Sequence, residues 1–132
     1  MEGGIIELSK YRYQTSVDNL DTAKINMREE KYKQAVNRSY YAIFHAIRAI
    51  TALDGFDSRK HSGIISYFNR EYVKKEIFPK RDSKIIDMAF KTRENADYQD
   101  FYVISKSDTE EQINNAEEFI CRVYDYLITK WN

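Results

Sequence analysis

The chain reads as an all-α protein, an up-and-down bundle of four to five helices. Punctuation is the first reason. Gly occurs four times, two of them in the opening "EGG", and Pro79 is the only proline, which is too few breakers for a many-turned β fold. Long stretches in which apolar residues recur every three or four positions are the second. Third, 42% apolar and 14% aromatic residues argue for a packed core rather than disorder. A length of 132 residues suits one domain and is short for two, so residues 1–132 are expected to form a single domain, with residues 1–8 loose.

Val17, Leu20 and Met27 give a first amphipathic helix from about residue 9 to 28, and a second runs from about 30 to 53, before "LDGFDS". Ser58 is positioned to cap a third helix carrying Ile64, Ile65, Phe68 and Tyr72. That helix must stop before Pro79, because proline lacks the N–H that a helix interior needs. Asp82 then opens a fourth helix with Ile85, Ile86, Ala89 and Phe90, fraying around "NADYQDF". Asp108 and Glu111 have capping-box spacing ahead of a last helix whose stripe is Ile113, Ala116, Phe119, Ile120, Val123, Leu127 and Ile128. The loops are "LDGFDSRK" and "FYVISKSD". Tyr40, Tyr72 and Tyr124 fall on apolar stripes and are expected in the core.

Several function classes drop out. Cys121 is the single cysteine, so an internal disulfide and a multi-thiolate metal site are impossible, and in "EEFICRVYDYLI" it reads as a small packing residue. The two histidines are far apart and no metal motif is present, so neither metal nor cofactor is expected. No apolar run reaches the roughly 20 residues that span a bilayer, and "MEGGIIELSK" has no signal-peptide character, so no membrane association and a cytoplasmic location are expected. The net charge of zero conceals a division. Residues 59–93 hold ten Lys or Arg against four Asp or Glu, and residues 94–128 hold two against nine. Either adjacent helices attract one another, or the basic stretch "RKHSGIISYFNREYVKKEIFPKRDSK" attracts a polyanion.

One stretch calls for explanation: "NRSYYAIFHAI", with Arg38 and His45 in an otherwise apolar run. At about 100° per residue, seven positions bring them within about 20° on one helix face. Tyr32, Val36, Tyr40, Ile43, Ile47 and Ile50 form the core stripe on the opposite side. The Arg38 face also carries Gln34, Tyr41, Ala42, Arg48, Ala49 and Ala52, and its alanines would admit another helix or a second subunit at close range. A desolvated arginine there needs a partner, either an internal acid such as Asp97 or a bound phosphate. His45 could equally make a buried hydrogen bond.

At these residues the chain resembles a known family. "NRSYYAIFHAIRAI" is similar to the signature helix of the HEPN domain family, whose small bacterial and archaeal members often carry R-x-Y-Y-A-x-F-H. "RKHSGIISYFNREYV" resembles its K-H-x-x-hydrophobic-x-x-F segment, and "RENADY" its R-x-x-A-D-Y segment, in the expected order across residues 30–100. The resemblance implies a four- or five-helix bundle and a homodimer in which two R-x4-6-H helices meet at the two-fold axis. It also implies a metal-independent RNA endonuclease, often the toxin paired with a minimal nucleotidyltransferase antitoxin. Other members are non-catalytic modules that bind a nucleotidyltransferase, nucleotide or RNA. Arg38 and His45 match the motif at its longest spacing, and Ser39 takes the polar position after the arginine. Ile47 stands where some toxins carry a tyrosine that is nucleotidylated.

The chemistry fits these residue types. Metal-free RNA cleavage needs proton transfer at the 2′-hydroxyl and at the leaving oxygen, plus a cation for the developing phosphorane. Histidine transfers protons at neutral pH, and arginine offers a permanent fork for phosphate. His45 is thus the candidate general acid/base and Arg38 the phosphate clamp, with a second histidine supplied by dimerisation. Tyr41 on the same face is a supporting candidate. His61 is either a phosphate-binding residue near a helix N-terminus or a surface histidine. Arg93 and Asp97, four apart, form an intrahelical ion pair or orient Arg38 or His45. A ribonuclease and a non-catalytic binding module both remain open.

Overall fold

A computed structural model describes residues 2–132. It consists of α1 (Glu2–Arg28), α2 (Tyr32–Leu53), α3 (His61–Phe68) continuing into a π-helical stretch (Asn69–Val73), α4 (Lys80–Tyr98) and α5 (Lys106–Ile128). The all-α expectation holds. α2 is the central element: it touches α1, α3, α4 and α5, and 13 of its 22 residues are buried, far more than a single stripe would bury. Ala35, Ala42, Ala46 and Ala49 are fully buried together with Tyr40, Ile43, Ile47 and Ile50.

The alanine face is taken by α1. Ser9 Oγ donates to the Ala49 carbonyl and Ser16 Oγ to the Ala42 carbonyl, each at 2.6 Å. As α1 advances seven residues, α2 retreats seven, so the two helices run antiparallel in one register. The next step along each reaches Ala23 and Ala35, both fully buried. Hydroxyls and methyls at these positions let the backbones approach until a serine can reach across to a carbonyl already bonded within its own helix. Trp131 Nε1 donates to Ser9 Oγ at 2.9 Å, which ties the chain beyond α5 to the same seam.

Some local expectations need correction. α1 starts at Glu2 rather than near residue 9, so residues 2–8, expected to be loose, are helical, and residue 1 lies outside the described residues. Ser58 does not cap α3. Its Oγ accepts from the Lys60 amide at 3.3 Å, and the helix starts at His61. A Cβ on Gly63 would fall 2.4 Å from Ser58 Oγ, so the loop folds against the glycine. α4 starts at Lys80 after Pro79, and Asp82 is a fully buried carboxylate bonded to Arg122 Nε at 3.0 Å and to Arg122 Nη2. α5 starts one turn before the Asp108–Glu111 pair: Ser105 Oγ accepts from the Asp108 amide at 3.0 Å, and buried Thr109 donates to the Ser105 carbonyl at 2.8 Å. Cys121 and Tyr124 are exposed, although Tyr124 packs on Tyr13 with ring centroids 5.4 Å apart. Ile128 is exposed too, whereas the other six residues of the α5 stripe are buried.

The charge division is used in part between helices. Arg81 and Arg122 both pair with Glu118 at 2.6 Å, which joins α4 to α5. Among the described residues, no helix is long and apolar enough to cross a membrane.

The seam sets a stability prediction. Ala42→Leu should cost about 2 kcal/mol through overpacking, and Ser16→Ala about 1 kcal/mol through the lost hydrogen bond, in urea denaturation followed by fluorescence of Trp131. An Ala42→Leu protein as stable as the wild type would mean that the helices do not meet there.

Candidate active site

Arg38, Tyr41 and His45 follow one another along the α2 face that α1 leaves partly open, and all three are half-buried. The Arg38 guanidinium lies over the Tyr41 ring, 5.0 Å from its centroid. Its Nε and Nη2 donate to Asn37 Oδ1 at 2.9 and 2.5 Å, and its Nη1 donates to Asn19 Oδ1 of α1 at 3.0 Å. These acceptors are neutral amides. Asp97, the acid expected to pair with Arg38, instead lies 2.9 Å from Arg93 Nε and accepts from Asn37 Nδ2 at 2.9 Å. A chain of contacts therefore runs Arg93, Asp97, Asn37, Arg38. It orients the guanidinium without neutralising it.

His45 sits against Tyr41 and Phe44, with ring centroids 6.3 and 5.9 Å away. Burial, followed by the positive charges of Arg48, Arg12 and Arg38 and by His61, pushes its imidazole down to about 4. It is therefore neutral at physiological pH, and no hydrogen bond to another side chain contributes to that shift. The buried hydrogen bond considered from sequence is not what holds it. The imidazole thus rests in its proton-accepting form, its basicity weakened by burial and by the cations, and an anion bound among those cations would favour its charged form.

The other candidates divide. Tyr41 is central: beneath Arg38, it also accepts from Arg93 Nη2 at 2.9 Å. The Arg93 cation stands over both Tyr40 and Tyr41 at 5.4 and 5.2 Å. Its Nε is close to Asp97 but off the line of a hydrogen bond, so that contact is ionic. The intrahelical pair foreseen from sequence exists and supports the Arg38 side of the site as well. His61 is drawn in rather than left on the surface. Its ring stacks on Phe44 at 4.0 Å and meets Tyr41 edge-on at 5.8 Å, and Nδ1 lies 2.9 Å from Tyr40 Oη. Ser39 points elsewhere. It is buried and donates to the Gln112 carbonyl of α5 at 3.2 Å, tying helices together.

Four residues complete the site that sequence reasoning did not select: Arg12 and Asn19 on α1, and Asn37 and Arg48 on α2. Arg12 Nη1 donates to the Arg48 carbonyl at 3.2 Å. Arg12 and Asn19 have the same seven-residue spacing as Arg38 and His45, a signal readable only once the register of α1 on α2 is known. Arg48 lies one turn beyond His45 and is 3.7 Å from Asp57. Two shallow concavities flank this face. One of about 400 Å³ is lined by Phe44, Arg48, Asp57, Ser58, Arg59 and His61, and one of about 570 Å³ includes Lys31, Lys33, Asn37 and Arg38. Both offer cations suited to phosphate.

Fold and site together define a small helical domain whose central helix presents an Arg-x6-His pair beside an aromatic cluster. A family model described as the HEPN domain matches residues 9–126, and the chain belongs to the HEPN domain family. It is similar to a UPF0332 protein of Thermotoga maritima, 35% identical over 101 residues that cover 76% of each chain. It is also similar to two proteins of Methanocaldococcus jannaschii named as candidate toxins. The first is 33% identical over 110 residues, covering 80% of this chain and 78% of the relative. The second is 28% identical over 112 residues, covering 85% and 76%.

The neutral state of His45 has a measurable consequence. In the unfolded chain its imidazole protonates near its ordinary pKa of about 6.5, and in the folded protein only near about 4. The unfolded state therefore binds more protons between those values, so stability rises with pH through that window and is lost as pH falls through it. Denaturation midpoints measured from pH 4 to 6.5 should climb less steeply in His45→Gln than in the wild type. An unchanged slope would contradict the buried neutral imidazole.

Proposed function

We propose that this chain is a metal-independent RNA endonuclease of HEPN type and the toxin of a toxin–antitoxin pair. The observation that carries this reading is the pairing of Arg38, a preoriented cation with no carboxylate partner among the described residues, with His45, an imidazole kept neutral beside it. His45 removes the proton of the ribose 2′-hydroxyl. The freed oxygen attacks phosphorus, and Arg38 stabilises the charge that grows on the non-bridging oxygens. Products are a 2′,3′-cyclic phosphate and a 5′-hydroxyl end. The working unit is a homodimer in which two such helices pair. Since α1 covers the alanines of α2, the pairing uses the remaining edge of that face. The names of the two archaeal relatives support the toxin assignment, and a minimal nucleotidyltransferase is the proposed antitoxin. The site of action is the cytoplasm, where its RNA substrates lie.

A second reading, a non-catalytic module that binds a nucleotidyltransferase, nucleotide or RNA, draws on the loop between α4 and α5. Tyr98 at the end of α4, together with Val103 and above all Phe101 in the loop, the last 99% exposed, leaves apolar surface of the kind that marks protein contacts.

Purified protein incubated with mixed RNA in EDTA distinguishes the two. The wild type should cleave and leave cyclic phosphate ends, while Arg38→Ala and His45→Ala should each lose roughly 100-fold or more in rate. A folded wild type that leaves RNA intact would overturn the ribonuclease reading in favour of the binding module.

A further inference from the structure

Cleavage of an RNA chain requires a proton for the departing 5′-oxygen as well as a base for the 2′-hydroxyl. We propose that His61 is a second proton-transfer residue of the same site, supplied by the same chain, and that it acts as general acid through Nε2 while Tyr40 dictates which nitrogen it presents. This rests on the ribonuclease reading above.

The geometry singles out Nε2. Tyr40 is fully buried, and burial pushes its phenol well above the ordinary value of 10.0, so Tyr40 keeps its proton. A phenol donates a hydrogen bond more readily than it accepts one, so against a neutral imidazole it donates to Nδ1, and the ring proton resides on Nε2. Against an imidazolium, Nδ1–H donates to the Tyr40 oxygen, and Nε2 again carries a proton. In both protonation states Tyr40 engages Nδ1, so Nε2 is the nitrogen left for the substrate, and the imidazolium is the form that gives up its Nε2 proton. His61 lines the concavity that also holds Arg48 and Arg59, with the Asp57 carboxylate 3.7 Å from Arg48, and Arg38 lines the neighbouring one.

The separation from His45 has an upper bound within which two groups can serve one phosphate. The rings of His45 and His61 lie 5.9 and 4.0 Å from the Phe44 ring, which caps their separation at about 10 Å. The attacking and leaving oxygens stand on opposite sides of the phosphorus, and each needs its proton-transfer group within about 3 Å. The two histidines must therefore flank the phosphate without touching each other. Burial is the largest influence disfavouring the His61 imidazolium; Arg93 and Arg48 disfavour it further, and Glu94 favours it. A bound phosphate diester offsets the two arginines.

The step balances. His45 takes the 2′-hydroxyl proton, the 2′-oxygen forms a bond to phosphorus, the bond from phosphorus to the 5′-oxygen breaks, and that oxygen takes the Nε2 proton of the His61 imidazolium. The site then holds a protonated His45 and a neutral His61, and proton exchange with water restores the starting state.

The test compares two oligonucleotides with one scissile linkage each, an ordinary ribonucleotide and its analogue with sulfur at the bridging 5′ position, whose thiolate leaves without a proton. His61→Gln should slow cleavage of the ordinary substrate by roughly 100-fold and cleavage of the sulfur analogue by less than tenfold, whereas His45→Gln should slow both. Tyr40→Phe keeps the ring and removes the hydroxyl, so it serves even where His61→Gln fails to fold. It should slow only the ordinary substrate, and imidazole 15N NMR should show that His61 has lost its fixed Nε2–H tautomer. Wild-type rates in the His61→Gln protein, equal slowing of both substrates, or an unaltered tautomer in Tyr40→Phe would each overturn the assignment. A wild type that cleaves neither substrate would overturn the ribonuclease reading, and this inference with it.

Discussion

The close approach of α1 to α2 is the constraint on which the rest depends. It is built from Ser9, Ser16 and Ala23 on one helix and Ala49, Ala42 and Ala35 on the other, all buried. Small side chains let the helices approach, and the two serine hydroxyls, otherwise buried polar groups that burial would penalise, are satisfied by carbonyls across the seam. With α1 on one side and α3, α4 and α5 on others, α2 is left with one strip that water reaches. Arg38, Tyr41 and His45 occupy that strip. The same seam carries Asn19 to the Arg38 guanidinium and Arg12 to the Arg48 carbonyl. A face that looked suited to a second subunit is thus first an intrachain contact, and Arg38 and His45 stand at its margin.

The electrostatics of the margin are unusual for structural residues. A buried arginine ordinarily finds a carboxylate, since an unpaired charge is costly to desolvate. Here the carboxylate nearest in function, Asp97, is engaged by Arg93 and Asn37, while Arg38 is left with amide oxygens and the face of Tyr41. Contact with an aromatic face and partial exposure keep that arrangement tolerable. Burial first, and then this excess of positive charge, depresses His45. Arginine without an acid and histidine without a proton thus stand side by side, the second through burial as well as charge. A phosphate bound there would relieve both.

Much of this was legible in the sequence. The all-helical fold followed from sparse breakers and apolar periodicity, and Arg38, Tyr41 and His45 share a face because helical geometry brings positions three, four and seven apart together. Those inferences use only distances within one helix. Caps were less legible. Ser58 and Asp108 were suitable cap residues, yet α3 starts at His61 because the loop folds onto Gly63, and α5 starts at Lys106 because Thr109 is buried. Cys121 and Tyr124 lie on the outer side of an otherwise well-read stripe. Their composition suited a core that other residues had already filled.

What the sequence by itself determined is the class of fold, the family, and the helical face that Arg38, Tyr41 and His45 share, since each follows from spacing along a single helix or from motifs in a fixed order. Only the tertiary structure decided the partners. Asn19 rather than Asp97 holds Arg38, Ser39 turns to α5, and His61 joins His45 through Phe44 and Tyr41. The physical reason is that partner choice across helices depends on register and rotation between elements. The summed packing of many side chains sets these, and no local pattern encodes them.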